Sequence, residues 1–98
     1  MDGDWLNQRT NQGPTALRSR VHEYARASAG RTLPEQLSAA AQAALAHVLS
    51  HAGDRSVALD LLAADALITL ALLAQAEHAP EGLEDFAGSV LRATRALA

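Results

Sequence analysis

The chain is expected to fold as an all-α protein, a small four-helix bundle built around one very apolar helix. Two observations predict this. Of its 98 residues, 23 are alanine and 16 leucine, against one Trp, one Tyr, one Phe and one Met. Alanine and leucine favour helix, and the aromatic and β-branched residues that favour strands are scarce. The second observation is residues 57–76, VALDLLAADALITLALLAQA, which carry only two charges, Asp60 and Asp65. A helix apolar all round has to be surrounded by its own bundle, by a second chain or by lipid.

Residues 1–13 are polar apart from Trp5 and Leu6 and are expected to form a flexible N-terminal arm. They lack the basic flank and apolar centre of a signal peptide, so the expected compartment is the cytoplasm. Trp5 is expected to be buried, either against the end of its own bundle or against a neighbouring chain. Residues 14–98 read as a single helical domain.

The first helix is expected at 14–29, with Pro14 in its first turn and Gly30 as its stop. Leu17, Val21 and Tyr24, continued by Ala25 and Ser28, form a narrow inner stripe. Arg20, Glu23 and Arg26 form an ion-paired ladder on the outside. The second helix, 33–52, opens with Thr32-Leu33-Pro34-Glu35, a capping box. Leu37, Ala41, Ala44, Leu45, Val48 and Leu49 share its inner face. Gly53 closes it and Asp54 caps the next, a connection short enough to make an antiparallel hairpin.

The third helix, 55–78, has three apolar faces at 100° per residue. Val57, Leu61, Ile68 and Leu72 form one, and Leu59, Leu62, Leu70 and Leu73 a second. Ala63, Ala64, Ala71 and Ala74, with Leu67, make a third that is small enough for close helix approach. The fourth helix, 80–97, begins at Pro80. Its packing seam is Leu83, Phe86, Val90, Ala93 and Leu97, and Arg92 and Arg95 complement the dipole near its end.

A membrane span is not expected. Each aspartate costs about 2.5–3.5 kcal/mol near a membrane centre. Only residues 66–76 are uncharged, too few to cross a hydrocarbon core that needs about 20.

Few residues suggest chemistry. Asp65 lies among Leu61, Leu62, Ile68, Thr69 and Leu72 and is expected to be buried, since one helical turn brings all of these near it. A carboxylate there needs an arginine of the first helix or a histidine as partner; the functional alternative is a ligand-binding or proton-handling carboxylate. Asp60 lies some 140° around the helix and forms no dyad with it. His47 and His51, at i and i+4, are the metal-ligand candidates, a half-site without a third ligand. His22 and His78 read as solvated singles.

Residues 45–62 hold a glycine between two helices, but Leu49, Asp60 and Asp65 suit neither the tight turn nor the groove-reading helix of a DNA binder. Residues 1–31 carry a net +2 and residues 32–98 a net −5, so a basic first helix packs beside acidic ones or faces an acidic partner. There is no cysteine, which excludes disulfides and thiolate chemistry. Phosphate loops, nucleophile elbows and dinucleotide fingerprints are missing as well, so neither an enzyme nor a cofactor is expected.

The expected role is a protein–protein interaction module or adaptor, acting as a homodimer or on another protein, with Trp5, Leu59, Leu62, Leu70 and Leu73 as interface candidates. The alternatives are a metal- or small-ligand-binding regulator using the gap between the second and third helices and, more remotely, nucleic-acid contact through the first helix.

Overall fold

Local signals place the helix boundaries in the computed structural model, which describes residues 2–97. Five helices follow in order: α1 (Asp2–Thr10), α2 (Thr15–Ala27), α3 (Leu33–Ser50), α4 (Ala58–His78) and α5 (Leu83–Ala96). Short 3-10 turns at Arg55–Val57 and Pro80–Gly82 lead into α4 and α5, and no strand occurs among the described residues. The fold is all-α, with five helices rather than four.

The additional helix is α1, where an arm without regular structure was expected. Nine residues are too few for a stable isolated helix, so α1 depends on docking. Leu6 is only 4% exposed and joins the core with Val21, Ala25, Leu33 and Leu37. Trp5 donates from Nε1 to Glu77 Oε1 at 3.3 Å, and Arg9 pairs with the same carboxylate at 2.6 Å. α1 therefore closes one end of the bundle, and Trp5 packs half-buried on its own chain.

The expected caps form. Thr32 Oγ1 accepts from the Glu35 N–H at 3.3 Å, as the capping box requires, but Glu35 Oε2 accepts from the N–H of Arg31 at 2.9 Å, one residue before the cap, rather than from that of Thr32. Asp54 accepts from the Ser56 N–H at 2.9 Å ahead of α4. Gly53 sits at φ +91°, a conformation that only glycine adopts without strain. Gly30 has a different task from the stop expected of it: a Cβ there would lie 2.5 Å from the Gln36 nitrogen, so the α2–α3 loop crosses α3 in contact with its backbone.

The core is an alanine interface. Ala40, Ala41 and Ala44 of α3 and Ala63, Ala71 and Ala74 of α4 are fully buried, with Leu37 and Leu67 as the large side chains between them. α2 and α5 both touch α3 and α4. The helical positions of their contacts place them on opposite flanks of the pair. Gln36 Nε2 donates to the Ala25 carbonyl on the α2 side, and Gln42 Nε2 to Thr94 Oγ1 on the α5 side. The Cα envelope measures 39 × 30 × 19 Å, a thickness of two helix layers. α4 thus has neighbours on three sides, and its fourth faces outward.

Leu67→Ala should lower the unfolding free energy by about 3 kcal/mol, because the cavity has only alanines to fill it. Leu62→Ala, on the outward side of the same helix, should change the stability of the single chain, at protein concentrations too low for self-association, by less than about 0.5 kcal/mol. Urea unfolding of the two variants measures both.

Candidate functional site

The buried carboxylate of α4 is Asp60, not Asp65. Asp60 shares its side of the helix with Ala63, Ala64 and Leu67, the positions that meet α3, and it is only 3% exposed. Two α2 side chains one turn apart reach it. Arg20 Nη1 lies 2.5 Å and the Tyr24 hydroxyl 2.8 Å from Oδ1, and both donate. From α3, His47 Nε2 stands 3.9 Å from Oδ2. Glu23 steadies the arginine from its outer side at 3.4 Å. Asp60 thereby ties together three helices.

Burial alone would push the Asp60 carboxyl up, but the hydrogen bonds from Arg20 and Tyr24, with the charges of Arg20 and His47, outweigh it and hold the group below its ordinary value. The bond to Asp60 raises the Arg20 guanidinium in turn. Burial, and then the same carboxylate, push the Tyr24 phenol up to about 12. An ionised acid facing a protonated phenol has no proton to exchange near neutral pH. The arrangement acts as an anchor, and a small cavity of about 320 Å³ lies at its mouth.

Asp65 is exposed on the outward side of α4, which corrects the expectation that it is buried. The wheel that puts leucines around Asp65 is right. The face that meets α3, however, is set by the alanines, and Asp65 points away from it. Its carboxylate has no hydrogen-bond or ion-pair partner among the described residues, and its carbonyl accepts from Thr69 Oγ1 at 3.1 Å.

His47 and His51 stack with ring centroids 4.3 Å apart and planes inclined by 28°. Nitrogen lone pairs lie in the ring planes, so stacked rings do not aim two of them at one point. His51 Nδ1 is also held by the His47 carbonyl at 2.9 Å. Among the described residues no group of three or more His, Asp or Glu side chains is placed to hold a metal ion. His22, expected to be a solvated single, is instead half-buried and bonded to Thr10.

The interface candidates separate into two sets. Leu70 is buried, Leu59 half-buried, and Trp5 is committed to Glu77 and His78 of its own chain. Leu62 and Leu73 remain 55% and 39% exposed, and Leu61, not among the candidates, is 51% exposed. Beside them an apolar groove of about 290 Å³ runs between α4 and α5, lined by Ile68, Leu72, Ala87, Val90, Leu91 and Thr94. Leu91 on its rim is half exposed.

No family model, curated protein or solved structure matches this chain.

Two outcomes follow for the Asp60 anchor. Arg20→Met should cost about 2 kcal/mol, less than for a fully buried pair because a third of the Arg20 side chain meets solvent. A depressed folded-state pKa stabilises above the ordinary carboxylate value, and that contribution is lost as pH falls through the depressed one. Urea midpoints measured from neutral pH down through the carboxylate range should therefore fall less steeply for Asp60→Asn than for the parent chain.

Proposed function

We infer that this chain is a small cytoplasmic interaction protein without catalytic activity, working as a homodimer through the outward side of α4 and the adjoining edge of α5. One observation carries the reading. The most apolar window of the α4 segment has a mean hydropathy of 2.1, yet only 44% of it is buried. A helix of that composition is usually a core element, and one side of this one is left uncovered among the described residues.

Lipid is a poor occupant for that side. Asp65 and Thr69 lie in the middle of it, exposed, and a carboxylate facing hydrocarbon is costly. A second copy fits better on two counts. The same surface carries protruding leucines, Leu61 and Leu62, and an apolar groove able to receive such a side chain, the self-complementarity a twofold interface requires. The charges also match. Asp65 forms no ion pair among the described residues, and neither do Arg92 and Arg95 of α5. Laying α5 of each copy across α4 of the other brings these arginines to Asp65 while the leucines meet.

Sedimentation equilibrium should give a dimer at micromolar concentration. Leu62→Glu should give a folded monomer whose thermal midpoint no longer depends on protein concentration and lies below the parent's only by what dimerisation adds to it. Asp65→Arg should weaken association about tenfold, and adding Arg92→Asp and Arg95→Asp should recover it. A parent chain that stays monomeric at roughly 100 μM, where even a weak specific dimer is populated, overturns the reading.

A further inference from the structure

The fold uses the arginines of the N-terminal third unequally. Arg9 pairs with Glu77, and Arg20 with Asp60 and Glu23, whereas Arg18 and Arg26 pair with no carboxylate among the described residues. These two stand at i and i+8 on α2 with His22 midway at i+4, so all three share one helix face. They line an open cleft of about 530 Å³ between α1 and α2. The amides of Asn7 and Asn11 and the hydroxyl of Ser19 add hydrogen-bond donors to the lining, and Glu23, already engaged by Arg20, is the one acid among the described lining residues. The Cα atoms of Arg18 and Arg26 are about 12 Å apart along the axis at 1.5 Å per residue, a span that two arginine side chains can close from either side of His22.

The protons of this cleft can be assigned from its bonds. Thr10 Oγ1 lies 2.8 Å from the Leu6 carbonyl, which can only accept, so the single hydroxyl hydrogen is spent there. His22 Nε2, 3.1 Å from the same oxygen, must then carry a hydrogen and donate it. Nδ1 is left as the nitrogen that titrates, and it has no protein partner among the described residues. Burial, and then the charges of Arg26 and Arg18, hold this imidazole below the ordinary histidine value. The cleft thus presents two unneutralised cations and a histidine that resists becoming a third.

We propose that the α1–α2 cleft binds a small phosphomonoester dianion, with Arg18 and Arg26 on its charge and Asn7, Asn11 and Ser19 on its remaining oxygens. Guanidinium groups and neutral donors on one cleft match a dianion's several acceptor oxygens. A nucleic-acid strand is a poorer match, because two arginines beside Glu23 on a chain of net charge −3 give no track for successive phosphates. Among the described residues no Phe, Tyr or Trp lines the cleft to stack a base. The phosphomonoester is either soluble or carried on a lipid headgroup.

The test is a titration of inorganic phosphate and of glycerol phosphate into the full chain. The His22 imidazole is followed by NMR from roughly pH 5 to 8. A bound dianion should give a saturable shift and raise the pKa of His22, because it reverses the field of the two arginines. Arg26→Ala should weaken binding about tenfold or more. Arg26 makes no side-chain hydrogen bond among the described residues, so this variant should unfold at the parent's midpoint. Arg18, which also donates to the Asn11 carbonyl at 3.2 Å, is the second variant. Arg31→Ala, outside the cleft, should bind as the parent does. Tighter binding to vesicles containing phosphatidic acid than to glycerol phosphate would assign the lipid source, and the reverse the soluble one. The proposal is overturned by a His22 signal that chloride moves equally at matched ionic strength, by unchanged affinity in Arg26→Ala, or by duplex DNA binding more tightly through the same arginines.

Discussion

The close approach of α3 and α4 through alanine side chains is the constraint on which the rest of the molecule depends. Small residues let two helix axes approach to the short end of the usual packing range. Ala40, Ala41 and Ala44 meet Ala63, Ala71 and Ala74 on this contact, and all are fully buried. Once that side of α4 is occupied, its leucines have to go elsewhere. Leu70 turns towards α2, Ile68 and Leu72 border the groove beside α5, and Leu61 and Leu62 are left outside. The feature that makes the hairpin tight is the same one that leaves α4 incompletely covered.

The alanine contact also dictates the electrostatics. Asp60 stands on the alanine side, so forming the hairpin takes a carboxylate out of water, and that state is tolerable only with partners in place. α2 brings them in two successive turns, Arg20 and Tyr24, both onto one oxygen. Contact between alanine and leucine surfaces tolerates sliding; two directional bonds to one atom define a single register for α2. The position of α2 then determines that of α1, whose Leu6 enters the core beside Val21 and Ala25, and the cleft between them follows. The anchor at Asp60 and the donor-rich cleft thus lie on different sides of the same helix, whose arginines the fold divides between them.

Much of this was legible along the chain. The Thr32 capping box, the glycine at 53, the Asp54 cap and the α5 seam appear where residue type and spacing place them, because each is settled within one or two turns. The small third face of α4 was visible too. Asp60 is the residue whose burial a leucine count conceals, although the signal for it is in the sequence: it precedes Ala63, Ala64 and Leu67 by three, four and seven positions. Counting leucines around Asp65 pointed to the wrong side, since in this chain close packing follows the smallest side chains rather than the largest. α1 is invisible in the sequence for a different reason. Its nine residues hold no strong apolar pattern, and only Leu6 and the Trp5–Arg9–Glu77 contacts give the segment a place to dock.

What the sequence determined by itself is therefore the helical class, most helix boundaries and the excess of apolar surface on α4, all consequences of local propensity, capping and periodicity. The tertiary structure decided which aspartate is buried, which leucines stay exposed, and which arginines remain unpaired. Those outcomes depend on which of several apolar faces wins the contact with α3, a competition between surfaces far apart in the chain. Tight alanine packing decided it, and the rest of α4 was left facing outward.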